Sequence, residues 1–299
     1  MDYISDEDLI QELKRRFEDN AIALANLRVM TGKLESLNEK LRQSEALKSN
    51  FLSNIRNEIN NPLTAITGSA QQLLSGKGSP ADVRALALVI HNEAFDLDFQ
   101  LQNIFAAAEL EAGEIAISVA RVDVAALIRN LIKAFVRKAD EKRIALKFEC
   151  VCSGGPEGAL PFRTDPDKLQ KIISNLLANA VEFNHEGKPV VIRAWKDGAQ
   201  LRVSVADEGI GIPEADRHKI FDRFVQLDMG IRKRHRGQGL GLAITRAFLE
   251  ILGGSISLTA NEAGGSIFTI SLAESGTESE GDAVSESGNE LLFDTGTQF

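Results

Sequence analysis

Apolar residues recur every three or four positions through the first 110 residues, a spacing that predicts long amphipathic helices. Before residue 44 they form one narrow seam between charged residues, consisting of Phe17, Leu24, Leu27, Met30, Leu34, Leu37 and Leu41. A seam of this kind is typical of a coiled coil. The step of three residues from Leu27 to Met30 is a stammer, which overwinds a supercoil locally. Two interpretations follow: a dimerisation stalk, or a signalling helix whose register is changed by an upstream partner.

Two further helices are predicted over residues 44–74 and 80–110. The first carries an apolar stripe with Pro62 inside it, where the loss of one hydrogen bond is expected to kink the helix. A glycine-rich turn separates the two helices, and Gly113 is suited to cap the second. Two antiparallel helices with one apolar face each need a second copy to bury those faces. The pattern therefore predicts a four-helix bundle formed by a homodimer.

From residue 115 onward the pattern changes to short strands that alternate with helices. Strands are predicted at residues 144–151, 189–195, 200–207, 255–258 and 266–271, and helices at 124–138, 165–183 and 240–252. This order predicts an α+β sandwich with helices on one face of a mixed sheet. Residues 274–299 are rich in Gly, Ser and Glu, and we expect them to form a disordered acidic tail.

The charge balance argues against a nucleic-acid partner. The chain has 34 basic and 43 acidic residues, which gives a net charge of −9. Seven of the acidic residues lie after residue 273, where there is no Lys or Arg, so the rest of the chain is close to neutral and shows no basic face. No apolar run approaches the ~20 residues needed to cross a bilayer. We therefore expect no membrane span and a cytoplasmic location, with Cys150 and Cys152 as reduced thiols.

A polar turn interrupts the apolar stripe of the first bundle helix. It reads Asn57-Glu58-Ile59-Asn60-Asn61-Pro62. The turn resembles the site at which sensor histidine kinases carry their phospho-accepting histidine, a run of the form His-Glu-x-x-(Thr/Asn)-Pro. The acidic residue, the polar residue three positions later and the proline are all present here. The histidine position, however, is occupied by Asn57.

Four polar and glycine-rich motifs follow in the predicted sandwich. They are Asn175 with Asn179, then Asp207-Glu208-Gly209-Ile210-Gly211, then Ile220-Phe221-Asp222-Arg223-Phe224, and finally Gly237-Gln238-Gly239-Leu240-Gly241. Residues four apart on a helix share a face, so the two asparagines point the same way. Glycines ahead of a helix expose backbone N–H groups to an anion. In order and spacing these motifs resemble the GHKL (Bergerat-fold) ATP-binding domain of histidine kinases, which chaperone, gyrase and mismatch-repair ATPases share.

The resemblance implies ATP and Mg²⁺ as cofactors. By resemblance, Asn175 and Asn179 hold Mg²⁺ and the phosphates, and Asp207 accepts the adenine amino group. The remaining pocket residues implied are Arg223 as a phosphate contact, and Gly209, Gly211, Gly237, Gly239, Leu240 and Gly241 as backbone that surrounds the nucleotide. Glu182 departs from the family pattern, because many histidine kinases carry a lysine there that reaches the phosphates. A carboxylate at this position is expected to repel polyphosphate unless Mg²⁺ lies between them.

The resemblance covers residues 44–273 and gives the chain four segments. These are a coiled-coil signalling helix at 1–43, a dimerisation two-helix module at 44–113, a GHKL ATP-binding domain at 114–273 and the acidic tail at 274–299. The family further implies a homodimer, with a response-regulator receiver domain or another histidine kinase as its partner.

Asn57 decides which function is expected. Phosphoryl transfer needs a lone pair on the accepting atom, which imidazole has and a carboxamide nitrogen, delocalised into its carbonyl, does not. We therefore expect no autophosphorylation at residue 57, and a regulatory pseudokinase that docks a response regulator or another kinase. Glu58 and Asn61 occupy the positions of the family's general base and water-orienting residue, which leaves open a phosphatase acting on a receiver domain. An active kinase whose histidine was mutated to Asn is the third alternative.

Overall fold

The computed structural model describes residues 6–76, 78–151, 158–225 and 239–275. Within the first helix it describes the side chains of residues 14–17, 20, 24–39, 41, 42, 55, 56 and 59–74. The chain divides into two units, one built on Met1–Asn50 and the other within Phe51–Leu292. Two long helices come first, α1 over Asp6–Leu74 and α2 over Pro80–Ala112. In the described residues, neither these nor the later helices are long and apolar enough to cross a membrane.

Helix α1 is continuous for 69 residues and runs through Pro62. The stalk and the first bundle helix of the sequence prediction are therefore parts of one helix. The seven apolar residues of the stalk seam are each more than half exposed, from 57% at Leu24 to 75% at Phe17. A single chain thus leaves the seam uncovered.

Helix α2 begins and ends where its capping residues predict. The Ser79 side chain accepts a hydrogen bond from the Asp82 N–H, and the Asp82 carboxylate accepts one from the Ser79 N–H at 2.8 Å, which together form a capping box. At the other end Gly113 adopts a left-handed conformation with a φ of 68° and donates its N–H to the Glu109 carbonyl. Glycine adopts this conformation at no steric cost, so the helix stops there.

The described residues after α2 form a sandwich of three helices on a mixed five-stranded sheet. The helices are α3 (Val124–Glu141), α4 (Pro166–Glu182) and α5 (Gly241–Ile251). The strands of the main sheet are β2 (Leu146–Val151), β4 (Val190–Asp197), β5 (Gln200–Ala206), β6 (Ser255–Ala260) and β7 (Ser266–Ala273), in the order β2-β4-β5-β7-β6. Strands β2 and β4 are parallel and the other neighbouring pairs are antiparallel.

The core lies between the helices and one face of this sheet. Along β7 every second residue is buried, and α4 buries the apolar side that faces the sheet. The largest fully buried side chains are Phe162, Ile128, Leu169, Ile172, Ile173, Leu176, Leu177, Ile192, Leu201, Leu240, Ile244 and Leu249. The alternating pattern in the strands and the helical pattern in α3, α4 and α5 thus produce the predicted layers.

Several features were not predicted from the sequence. Strands β1 (Ala120–Asp123) and β3 (Pro161–Thr164) form a separate antiparallel pair of four residues each, too short to give a periodic signal. Two 3₁₀ helices cover Glu214–Asp216 and Lys219–Phe221. Cys150, expected as a reduced thiol, is disulfide-bonded.

Helix α2 packs against the sandwich through aromatic and charged side chains. The rings of Phe95 and Phe99 on α2 meet Phe135 on α3 edge to face, with centroids 5.5 and 6.1 Å apart. Lys138 on α3 forms a 2.8 Å salt bridge with Asp96 on α2. We refer to the contacts of α2 with α3 and α4 as the α2 interface.

Lys171 is the most electrostatically perturbed member of the α2 interface. From α4 its ammonium donates to the Gln102 side chain at 3.2 Å and lies 5.3 Å from the centre of the Phe99 ring. Burial lowers the pKa of Lys171 to about 8, although the nearby charge of Asp98 opposes the shift. The interface therefore holds a cation that would be better solvated in water.

Candidate nucleotide-binding site

Helix α4 carries the two asparagines of the first motif, but it holds them in different environments. Asn175 is 1% exposed, and its Nδ2 donates to the Gly241 carbonyl at 3.1 Å, which ties α4 to the first turn of α5. Its Oδ1 is buried and accepts no hydrogen bond from the described residues. Asn179 lies one turn later and is partly exposed. Of the two amides, that of Asn179 is therefore the one that a ligand reaches without rearrangement of the side chains.

Asp207 follows β5 and is held by backbone donors. Its Oδ1 accepts hydrogen bonds from the Gly209 N–H at 3.0 Å and the Ser266 N–H at 3.2 Å. No described residue donates to Oδ2. Burial raises the pKa of the Asp207 carboxyl, and the two backbone hydrogen bonds and the charge of His185 only partly offset it. Burial thus destabilises the ionised form of this carboxyl group. Its second oxygen is left to accept a hydrogen bond from a ligand.

Three glycines of the candidate site, Gly209, Gly239 and Gly265, lie where a side chain would not fit. A Cβ at Gly209 would collide with the Phe183 carbonyl, and one at Gly265 would lie 2.5 Å from Asp207 Oδ1. Gly239 has a φ of 67°, and a Cβ there would come within 2.9 Å of the Phe224 carbonyl carbon. These close approaches explain the spacing of the glycines in the motifs. A Cβ at Gly241 would be 3.5 Å from the Asn175 side chain, which is ordinary contact.

Two asparagines that the sequence motifs did not single out hold the Asp207 loop in place. Oδ1 of Asn184, in the turn after α4, accepts the Glu208 N–H at 3.0 Å. Nδ2 of Asn261, in the turn between β6 and β7, donates to the Asp207 carbonyl at 2.7 Å. Neither residue belongs to a predicted motif, because each forms its hydrogen bond to a segment that is far away in sequence.

Arg223, which the resemblance implied as a phosphate contact, is partly buried. Its Nη1 is buried and has no hydrogen-bond acceptor among the described residues. Burial lowers the pKa of Arg223, and the charges of Glu111 at the end of α2 and Glu250 on α5 oppose that shift. Its described electrostatic neighbours are therefore these two carboxylates on α2 and α5. The phosphate contact that the resemblance implied stays a prediction.

Glu182, the departure from the family pattern, is partnered by a lysine from another helix. Lys142 at the end of α3 places its Nζ 3.4 Å from the Glu182 carboxylate. The same ammonium donates to the main-chain carbonyls of Val181 and Glu182, which end α4. The cation offsets part of the negative charge of Glu182 and also complements the C-terminal end of the α4 dipole.

Some predicted site residues fall outside what the structure describes. Gly237 lies between the described ranges, and the side chains of Asn57 and Glu58 are also outside the described set. The backbone of both residues is part of α1. Asn61 is exposed on α1, one turn after Asn57.

The residues present fit a nucleotide with a hard cation. Helix α5 begins at Gly241 without a side-chain cap, which leaves its first N–H groups available to an anion. The amide oxygens of Asn175 and Asn179 are of the ligand type that Mg²⁺ accepts beside phosphate and water. Within the described ranges, no group of three His, Cys, Asp or Glu side chains is placed to bind a metal alone. A cation here would therefore depend on the phosphates for part of its coordination.

Two family models match this chain in the order that its architecture suggests. The His Kinase A (phospho-acceptor) domain matches residues 47–113, and the histidine kinase-, DNA gyrase B- and HSP90-like ATPase matches residues 164–276. The circadian input-output histidine kinase CikA of Synechococcus elongatus is 32% identical over 233 residues, which are 77% of this chain and 30% of that protein. The chain belongs to the sensor histidine kinases.

The relatives of this histidine kinase homologue are larger proteins. The sensor histidine kinase TmoS of Ectopseudomonas mendocina is 31% identical over 282 residues, covering 92% of this chain and 28% of TmoS. This chain thus spans less than a third of the length of these two curated relatives.

Solved histidine kinase structures share the fold. Full-length ShkA in complex with AMPPNP aligns with a TM-score of 0.53 and 27% identity, over 78% of this chain and 46% of ShkA. The histidine kinase AdeS of Acinetobacter baumannii aligns with a TM-score of 0.50 and 22% identity, over 73% of this chain and 98% of that one. These alignments confirm the predicted architecture, a helical region followed by a sandwich with a mixed sheet.

Proposed function

We propose that this histidine kinase homologue is a dimeric, ATP-binding regulator of a two-component or phosphorelay system. It does not phosphorylate itself at residue 57, and acts by docking a receiver domain or another histidine kinase. The observation that carries the proposal is Asn57, which stands at the acceptor position of a chain that otherwise keeps the family's pocket motifs. We assign the dimerisation module to residues 44–113 and the nucleotide domain to 114–273, in the cytoplasm.

The pocket supports ATP as the ligand. The free oxygen of Asp207 suits the adenine amino group, and the uncapped start of α5 suits the phosphates. Asn179 is exposed enough to reach a cation, whereas Asn175 has one buried amide oxygen without a donor among the described residues. When bound, Mg²⁺ neutralises phosphate charge. The nucleotide analogue in the ShkA complex supports the same assignment.

The chemistry of residue 57 argues against a kinase. Positioning and electrostatics supply most of the catalysis in phosphoryl transfer, yet they do not replace the accepting atom. Removing the nucleophile of a hydrolase lowers its turnover by about 10⁶-fold. We therefore expect ATP binding without phosphorylation of residue 57.

The decisive experiment compares the natural chain with Asn57→His. Both are incubated with radiolabelled ATP and Mg²⁺, and ATP binding is measured separately by calorimetry. We expect both to bind ATP and neither to incorporate label, because Glu182 also departs from the family pattern. Asn60→His, three residues later and exposed on α1, is the matched control.

Two outcomes would change the conclusion. Label on Asn57→His but not on Asn60→His would mean that the machinery is otherwise intact, and would favour an active kinase whose histidine was lost by mutation. Acid-labile, base-stable label on the natural chain would reveal a phosphohistidine elsewhere and contradict the proposal.

A second candidate function is a phosphatase acting on a receiver domain. It is favoured by Asn61, which is exposed on α1 one turn from residue 57 and able to orient a water molecule. A phosphorylated receiver domain would then lose its acyl phosphate faster in the presence of this chain. Asn61→Ala would remove that acceleration, whereas Asn20→Ala on the same helix would not. An unchanged rate of phosphate loss with the natural chain would exclude this candidate.

A further inference from the structure

The loop that presents Asp207 is held from two sides by asparagines of other chain segments. We propose that Asn184 and Asn261 are positioning residues that fix Asp207 for recognition of an adenine amino group and so set the base selectivity of the pocket. We call this pair the asparagine clasp. The inference rests on the proposed ATP binding, and goes beyond it by naming the residues that decide which base is bound.

Asn184 uses its whole side-chain amide for the clasp. The residue is 8% exposed, and its Oδ1 accepts the N–H groups of His185 and Glu208, both at 3.0 Å. Its Nδ2 donates to the carbonyls of Lys188 and Pro189 at 2.9 and 3.3 Å. Three of these four bonds close its own turn, and the fourth crosses to the residue after Asp207. The amide thus joins the turn after α4 to the Asp207 loop.

The main chain beside Asn184 strengthens the same junction. The Phe183 carbonyl accepts the Ile210 N–H at 3.2 Å. Gly209 lies so close to this carbonyl that a Cβ would not fit. The loop from Asp207 to Ile210 is therefore pressed against the turn that Asn184 organises, with little room for movement.

Asn261 holds the Asp207 loop from the turn between β6 and β7. Its Nδ2 donates to the Asp207 carbonyl at 2.7 Å, and its Oδ1 accepts the Ala263 N–H at 3.3 Å within its own turn. The Asp207 N–H donates in turn to the Ser266 carbonyl at 2.9 Å. Both main-chain polar groups of Asp207 are therefore fixed, as is Oδ1 of its side chain.

This arrangement has a consequence for selectivity. Because Oδ1 is occupied, the carboxylate has one oxygen left, and the clasp decides where that oxygen lies. A fixed acceptor strengthens the binding of a base that carries a donor, such as the 6-amino group of adenine. It does not strengthen the binding of a base that lacks this group. Loosening the loop should therefore reduce the affinity for ATP selectively.

The test measures binding of two nucleotides to the full chain by calorimetry. One is ATP and the other is purine riboside 5′-triphosphate, which lacks the 6-amino group. We expect the natural chain to prefer ATP by about tenfold or more, the effect of about one well-placed hydrogen bond to a charged group. In Asn184→Ala and in Asn261→Ala we expect this preference to fall to about twofold or less, with little change for the purine analogue.

Two controls separate positioning from general destabilisation. Asn103→Ala removes another buried asparagine, which lies on α2, and should leave the preference for ATP unchanged. If Asn184→Ala does not fold, Asn261→Ala decides in the same way, because Asn261 lies in a turn and is only partly buried.

The outcomes distinguish the clasp from the function on which it rests. Equal losses of affinity for both nucleotides in the variants, or no loss for either, would overturn the clasp and leave ATP binding standing. A natural chain that binds neither nucleotide would overturn the proposed function, and the clasp with it.

Discussion

Asp207, the proposed acceptor for the adenine amino group, is buried at the expense of stability. Its carboxyl is 6% exposed, and two backbone donors share one of its oxygens. Burial nevertheless raises its pKa above the usual value of 3.8. A raised pKa in the folded state means that the folded chain holds this proton more tightly than the unfolded chain. As the pH rises from 3.8 to the raised pKa of the folded state, Asp207 therefore lowers the free energy of unfolding.

Asp207→Asn tests this opposition between stability and binding. The amide keeps the shape and one acceptor oxygen but carries no buried charge. We expect the variant to melt at a higher temperature than the natural chain at pH 7.5, and the difference to shrink toward pH 4. ATP affinity should fall about tenfold or more, because an amide N–H would then face the donor of adenine.

Calorimetric melting across this pH range and nucleotide titration give the two readouts. Glu262→Asn, on the exposed turn between β6 and β7, is the control for removing one negative charge. A lower melting temperature for Asp207→Asn at pH 7.5 would show that the burial penalty is not what governs this site.

Among the structural elements, α2 has ends that its sequence predicts and packing partners that its sequence does not predict. Its ends follow from local capping, through the Ser79 box and Gly113. One of its faces packs on α3 and α4, although the sequence pattern assigned its apolar residues to a dimeric bundle. Periodicity reports that a face is apolar, but not which partner covers it.

Lys171 at the α2 interface gives a pH-dependent prediction. Its folded-state pKa of about 8 is below the usual lysine value of 10.5. Between these values the unfolded chain binds a proton that the folded chain does not, so the free energy of unfolding should rise with pH across this window. Lys171→Met should abolish this rise and raise the melting temperature at pH 7, since methionine packs against Phe99 without a buried charge.

Chemical denaturation at pH 7, 8.5 and 10 measures the effect. Lys133→Met, on the exposed side of α3, is the matched control and should retain the rise. The interpretation of Lys171 is wrong if both variants keep the same pH dependence as the natural chain.

At the scale of the whole molecule, the proposed dimer rests on the uncovered apolar seam of α1. Leu34 and Leu37 leave 66% and 61% of their surface exposed in one chain. Burying a leucine contributes roughly 1.5–3 kcal/mol, so several along one seam favour association.

We expect the natural chain to be a dimer by light scattering. The double variant Leu34→Glu, Leu37→Glu should raise the dissociation constant at least tenfold by placing carboxylates in the seam. Ser36→Glu with Asn38→Glu adds the same charge beside the seam and should leave the dimer intact. A monomeric natural chain, or equal weakening by both double variants, would argue against a coiled-coil dimer.

The sequence by itself determined the long helices, the strands of the main sheet, the layered fold and the motifs of the pocket. These depend on periodicity, on caps such as Ser79 and on glycines such as Gly209, all of which act within a few residues of chain. The identity of residue 57 as Asn is likewise read from the sequence directly, and no fold alters its chemistry.

The tertiary structure decided the contacts between distant segments. It brought Asn184 and Asn261 to the two sides of Asp207, partnered Glu182 with Lys142, and set Arg223 under the influence of Glu111 and Glu250. It also paired β1 with β3 and laid α2 against the sandwich. Such contacts follow from how layers pack, and a local pattern carries no information about which remote side chain will fill a given space.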